Sequence, residues 1–134
     1  MTKTNHYLYL MAALMTLVML AALTATVTST PVQAAAAKAR TTVTIQAEGI
    51  DLSGKVKSSK LSCLGNRTVK VYKQKGAAQN PATDPVIASD TSERVGSVGV
   101  WSTGNTGMEG KFYAKTRGTL ECTGATSQTI LASR

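Results

Sequence analysis

Histidine is almost missing from this sequence: the single one, His6, lies in an N-terminal segment that reads as a removable leader. Without an imidazole to take the nucleophile's proton, neither a Ser-His-Asp nor a Cys-His site can be assembled from what remains. Cysteine is scarce as well. Cys63 and Cys122 are the only two, 59 residues apart and in no C-x-x-C motif, too few to complete a zinc site without histidine. The G-x-S-x-G nucleophile elbow and the S-x-x-K motif are both absent. Aromatic side chains are few, with 1 Trp, 1 Phe and 4 Tyr, which leaves little aromatic platform for stacking sugars. Acidic residues number only 7, and Glu48, Asp51, Asp84 and Glu121 fall into no recognisable catalytic pair. No enzymatic activity is expected.

Long apolar runs are confined to the N-terminus. Lys3 and His6 make a short polar start, Leu8 to Leu23 is apolar apart from one Thr, and Val32-Gln33-Ala34 supplies the small residues of a cleavage site. Residues 1–34 are therefore read as a signal peptide of the general secretory route. The rival reading is an uncleaved anchor, but the 16-residue apolar run falls short of the ~20 that a spanning helix needs. Export makes the protein extracellular. Membrane contact is then expected only through an uncleaved leader. Residues 35–40 read as a disordered linker and 41–134 as one domain.

Removing the leader takes away Lys3 alone, leaving 14 Lys+Arg against 7 Asp+Glu and a net charge of about +7. Such a balance suits anionic partners outside the cell, and it also serves plain solubility. Two cysteines in an oxidising compartment are expected to pair as a structural disulfide, Cys63–Cys122.

No stretch of ten or more residues after the leader carries a 3.6-residue apolar stripe, so almost no helix is expected. The pattern is instead one of short alternating strands. Val43, Ile45 and Ala47 share one face of 41–47; Leu52, Gly54 and Val56 share one face of 50–57; Val69 and Val71 share one face of 67–73. Further strands are expected at 86–89, 94–102, 111–117 and 127–132. Residues 74–85, with two prolines and little to bury, read as a surface loop. The glycines between Gly104 and Gly110 read as a hairpin and not a phosphate loop, since the spacing to Gly110-Lys111 is wrong and Phe112 replaces the magnesium-binding Ser/Thr. About seven strands and one long-range disulfide predict an all-β fold, a single antiparallel β-sandwich of immunoglobulin or transthyretin-like kind. Trp101 and Phe112 are expected to fill its core.

Several segments carry a resemblance. Ser62-Cys63, Arg67-x-Val69-x-Val71-Tyr72-Lys73, Ser89-Asp90-Thr91, Gly99-x-Trp101, Phe112-Tyr113-Ala114-Lys115 and Cys122 resemble small exported actinobacterial proteins of uncharacterised function. More distantly they are similar to transthyretin-like and carboxypeptidase-regulatory-like sandwich modules. The resemblance spans about residues 42–132 and departs from those modules by inserting Glu93 to Val98. It implies a non-catalytic module and carries over no functional residue.

The positive functional signal lies in the basic residues. Lys55 and Lys57 point outward from the second expected strand, Lys70 and Tyr72 from the third, and Tyr113, Lys115 and Arg117 from the sixth. If the third and sixth strands share a sheet, their outward residues form a cationic, tyrosine-bearing surface for an anionic partner. A solvated face kept charged against edge aggregation is the bland alternative. Three roles stay open: a structural or protein-binding accessory, a binder of polyanions or envelope polymers, and a small inhibitor or effector acting through the 74–85 loop. A calcium site from Asp84, Asp90 and Glu93 fits no known loop, and no metal, nucleotide or other cofactor is expected. Asn66-Arg67-Thr68 is a formal glycosylation sequon.

Overall fold

The structure, a computed structural model, describes residues 36–134, so the expected signal peptide lies outside the described residues. Ten strand segments follow one another: β1 (Thr41–Val43), β2 (Gln46–Glu48), β3 (Asp51–Ser58), β4 (Thr68–Lys73), β5 (Val86–Thr91), β6 (Glu93–Val95), β7 (Val98–Asn105), β8 (Gly110–Thr116), β9 (Ala125–Thr126) and β10 (Ile130–Ala132). The one helical element among the described residues is a 3-10 turn, Leu61–Cys63. All sheet pairings are antiparallel, and they sort the strands into two sheets. Sheet one runs β1-β3-β7-β6 with β2 also on β3; sheet two runs β10-β8-β4-β5 with β9 also on β8.

Most of the expected strands appear where the alternation placed them, with three revisions, the first being that the run 127–132 is a strand only over Ile130–Ala132, with a separate short strand at Ala125–Thr126. The run 94–102 is a hairpin, not a single strand: Val95 pairs with Val98, and Gly96 between them takes φ 61°. Glycine occupies that left-handed conformation without steric cost, so the chain reverses inside the stretch expected to be one strand. The run 41–47 is broken at Thr44 and Ile45, where Thr44 N still donates to Lys55 O at 2.9 Å but the ladder is interrupted.

Both sheets contribute to one core. Val43, Leu52, Val56 and Trp101 come from sheet one, and Val69, Val71, Phe112, Ala114 and Ala132 from sheet two. Each large apolar side chain removed from water here contributes about 1.5–3 kcal/mol against the entropy of ordering the chain. Trp101, 3% exposed, lies across its cross-strand partner Gly54. A Cβ on Gly54 would sit 2.6 Å from Trp101 Cζ2 and overlap the Thr44 carbonyl oxygen, so only glycine leaves room for the indole.

Polar ties join the sheets at their margins. Thr41 N donates to Thr123 Oγ1 at 2.8 Å, and Ser102 N of β7 donates to Asp90 Oδ2 of β5 at 2.7 Å. At one end the Cys63–Cys122 disulfide, S–S 2.02 Å, joins the turn after β3 to the segment before β9. Beside it Arg67 is buried, and its guanidinium donates to the carbonyls of Cys63 at 3.2 Å, Arg117 at 2.6 Å and Thr123 at 3.1 Å. The stretch read as linker is anchored at its end: Ala39 N donates to Glu121 O at 2.7 Å and Ala39 O accepts from Thr123 N at 2.9 Å. Backbone pairing beside the disulfide, invisible in local composition, extends the ordered body to Ala39.

Candidate functional site

Sheet two presents its outer face through β4 and β8, its two central strands. Their register sets Lys70 opposite Lys115 and Tyr72 opposite Tyr113, while Val69, Val71, Phe112 and Ala114 point into the core. The condition for a shared basic surface, that these strands lie in one sheet, is met. Arg117 follows directly after β8, with its carbonyl held by Arg67 Nη2. Lys70, Lys115 and Arg117 line one cavity of about 400 Å³ with Thr68, Tyr72 and the Pro81-Ala82 wall.

That wall belongs to the 74–85 loop, which lies at the surface as expected and is held by hydrogen bonds as a folded cover. Asp84 organises it: its Oδ1 accepts from Lys75 N at 3.0 Å, and its Oδ2 accepts from Asn80 N at 2.8 Å and from Tyr113 Oη–H at 3.0 Å. Gln79 Nε2 donates to Ser127 O at 3.0 Å and to Thr129 Oγ1 at 2.8 Å, pinning the loop across the edge of the sheet. Tyr113 therefore points to the outer face yet is fully buried beneath the loop. Its ring stacks on Tyr72, centroids 5.1 Å apart and planes 7° from parallel. Tyr72 remains half-buried at the cavity's edge.

The protonation states follow from these contacts. The backbone N–H groups of Lys75 and Asn80 hold the Asp84 carboxyl below the usual carboxylate range, with help from the Tyr113 hydroxyl and against the cost of its burial. Burial first, and the neighbouring Asp84 second, push the Tyr113 hydroxyl well above its ordinary value. Burial also lowers the pKa of Arg67 from its ordinary value.

Charge is unbalanced at the cavity. No carboxylate lines it, and the ion pair recorded among the described residues, Lys60–Glu121 at 2.9 Å, lies at the disulfide end and is exposed. Like charges directly opposite on neighbouring strands destabilise a sheet. Lys70 and Lys115 are such a like-charge pair in the register, and no carboxylate stands among the residues lining the cavity they share. Three cations and a tyrosine face around a small concavity can hold an anion by charge-assisted hydrogen bonds.

Lys55 and Lys57 do not join this surface. They lie on β3 and face outward from sheet one, because β3 pairs with β7 and not with β4 or β8. Tyr113 supports the cavity from below and does not line it. Asp84 is occupied in the loop, away from Asp90 and Glu93, which line a separate shallow pocket beside Ser102; no group of three or more metal-capable side chains occurs among the described residues. Sequence reasoning missed the loop wall and the latching role of Asp84. The Asn80-Pro81 and Asp84-Pro85 steps were the available signal, since both dipeptides mark ordered turns.

No family model matches the chain, and no curated protein does. Among solved structures it is similar to an uncharacterised protein from Bacillus anthracis str. Ames, solved at 1.4 Å resolution, with 12% identity over 66% of this chain and 75% of that one and a TM-score of 0.46.

Proposed function

We propose that this is an exported, non-catalytic β-sandwich of immunoglobulin or transthyretin-like kind that binds an anionic partner outside the cell on the outer face of sheet two. In this reading the general secretory route delivers it, the leader is removed after Ala34, and the disulfide forms on export. The disulfide itself supports that. The observation that carries the binding reading is the Lys70–Lys115 register pair, uncompensated and sharing a concavity with Arg117. An anionic ligand supplies the missing counter-charge. Phosphate, sulfate and carboxylate groups of envelope polymers are the chemistry that fits.

The test is salt-dependent retention on immobilised heparin and teichoic acid. Three phosphate- or sulfate-type contacts give a log affinity that falls with log salt at a slope of about 2 to 3. Changing Lys70, Lys115 and Arg117 together to Gln abolishes retention, whereas K55Q/K57Q, the same charge loss per residue on the other sheet, leaves most of it. Equal loss in both variants would reduce the cavity to general positive charge and end this reading.

A protein partner is a second reading, favoured by Leu120. That side chain is 93% exposed on a turn braced by Thr119 N–H donating to Cys122 O at 2.9 Å and by the disulfide. A large apolar group on a rigid corner suits insertion into a partner's pocket. Leu120→Asp would abolish capture of such a partner while leaving heparin retention unchanged.

A further inference from the structure

We infer that the ligand of the sheet-two cavity is an acidic sugar unit of a polysaccharide, its pyranose ring seated on Tyr72 and its anionic substituent held by Lys70, Lys115 and Arg117. The inference rests on the anion-binding reading above and narrows it. A cation cluster alone would take any polyanion, but the lining of this cavity also includes an aromatic side chain, Tyr72. One side of the Tyr72 ring is covered by Tyr113 at 5.1 Å, which fixes its plane, and Tyr72 also lines the cavity. The Tyr113 hydroxyl is tied to Asp84, and Asp84 is tied to two backbone N–H groups, so the stack rests on a rigid support. A platform held this way is set before ligand arrives and loses little entropy on binding.

The negative face of an aromatic ring favours C–H groups made positive by attached oxygens, and a pyranose presents a flat array of these. The adjoining cations then select sugars bearing carboxylate, sulfate or phosphate, and the Thr68 hydroxyl can exchange hydrogen bonds with ring hydroxyls. The volume, about 400 Å³, lies at the low end of the ~300–1,000 Å³ of ligand clefts and suits one or two sugar rings. Single-stranded nucleic acid fits less well. It needs a basic groove that tracks the backbone and successive aromatic platforms, whereas here a single tyrosine faces the cavity and the Pro81-Ala82 wall bounds one side. A ring-less polymer such as poly(glycerol phosphate) satisfies the cations and leaves Tyr72 unused.

Calorimetric titration of the purified, oxidised protein with three charge-matched probes tests the inference: a heparin-derived tetrasaccharide, a glycerol phosphate oligomer and an oligothymidylate. The tetrasaccharide is expected to bind at least about fivefold more tightly than either of the others. Tyr72→Ala should weaken the tetrasaccharide about tenfold and shift the glycerol phosphate oligomer less than about twofold, while Tyr72→Phe keeps both. Because Tyr72→Ala also uncovers Tyr113 and could loosen the fold, Ala82→Trp supplies an independent variant. It fills the cavity from an exposed loop position and should exclude the tetrasaccharide with the melting temperature unchanged. Equal or tighter binding of the glycerol phosphate oligomer or the oligothymidylate overturns the inference, as does indifference of the tetrasaccharide to Tyr72→Ala and Ala82→Trp. The two failures are separable. If K70Q/K115Q/R117Q releases all three probes but the Tyr72 and Ala82 variants do nothing, the sugar assignment falls and the anion site stands. If the triple variant binds all three as before, the anion site falls and the sugar with it.

Discussion

Lys70 and Lys115 face each other across β4 and β8 with no carboxylate among the residues lining the cavity they share. Their juxtaposition sets stability against binding. Lys115→Glu replaces a repulsive cross-strand pair with an attractive one, and each such pair is worth about 0.2–1 kcal/mol. The variant is therefore expected to unfold at higher urea concentration than the parent while losing retention on heparin. Urea is the right denaturant because it does not screen charge. A variant that both destabilised the fold and kept its retention would contradict the role given to this pair.

Arg67 is a buried cation bound entirely to neutral oxygens: the carbonyls of Cys63, Arg117 and Thr123, with the Thr41 hydroxyl at 3.4 Å. Its planar fork can satisfy these diverging acceptors together; an ammonium cannot. Arg67→Met leaves several buried carbonyls without donors and should cost about 2–4 kcal/mol, read from urea unfolding at constant m-value. Arg67→Lys should recover less than half of that loss. Because Arg67 holds the Arg117 carbonyl, Arg67→Lys should also weaken anion binding, although no atom of Arg67 lines the cavity.

Stability should fall at both ends of the pH range through the Asp84–Tyr113 pair. Asp84 titrates below its ordinary value in the folded protein, so its contribution is complete above its unfolded value near ~4 and disappears as pH drops through the lower folded one. Tyr113 titrates above its ordinary value. Its contribution is complete below its unfolded value near ~10 and is lost as pH rises through the higher folded one. Urea midpoints across pH for the parent and Asp84→Asn check the acid limb, which should be shallower in the variant. Phenolate absorbance checks the alkaline limb: one tyrosine should ionise later than the rest, and that lag should vanish in Tyr113→Phe.

How far the sequence could be read depended on the range of the interactions involved. β3 and β4 were legible because each has one buried and one largely exposed face, so Leu52-Val56 and Val69-Val71 reveal their periodicity locally, whereas β8 was placed correctly although Phe112, Tyr113 and Ala114 are all buried. The cystine and the core places of Trp101 and Phe112 followed from composition. The hairpin turn at Gly96 was missed although Val95 and Val98, three residues apart, fall on opposite faces of any single strand, so the break in period was itself a signal. The division of basic residues between sheets was hidden for another reason. That Lys70 meets Lys115 while Lys55 faces away is decided by pairings between distant strands, which no local window contains. The burial of Tyr113 depends on a polar loop held by Asp84, Gln74 and Gln79, and hydrogen-bonded covers have no hydrophobic signature.

The disulfide should dominate global stability without defining the site. Cys63 and Cys122 are both buried and close a loop of 59 residues, for which the chain-entropy account gives about 4 kcal/mol. The double variant C63A/C122A should lose most of that in urea unfolding. Retention on heparin under native conditions should persist, since β4 and β8 pair through their own ladder. Loss of retention in a variant that still shows a cooperative unfolding transition would mean that the cystine positions the cavity directly.

Gly54 offers a sharper test of the packing between β3 and β7. A single methyl there collides with the indole of Trp101 at 2.6 Å and with the Thr44 carbonyl, and backbone on one side cannot yield. Ordinarily, Gly→Ala in a strand removes unfolded-state freedom and is mildly stabilising where the conformation permits. At Gly54 the overlap should reverse that sign and cost about 2–3 kcal/mol through overpacking. Pairing Gly54→Ala with Trp101→Phe shrinks the ring and should recover part of the loss, giving a favourable coupling energy in the double-mutant cycle. Additive losses would show that the methyl is rejected by the Thr44 backbone alone, with the indole free to move aside.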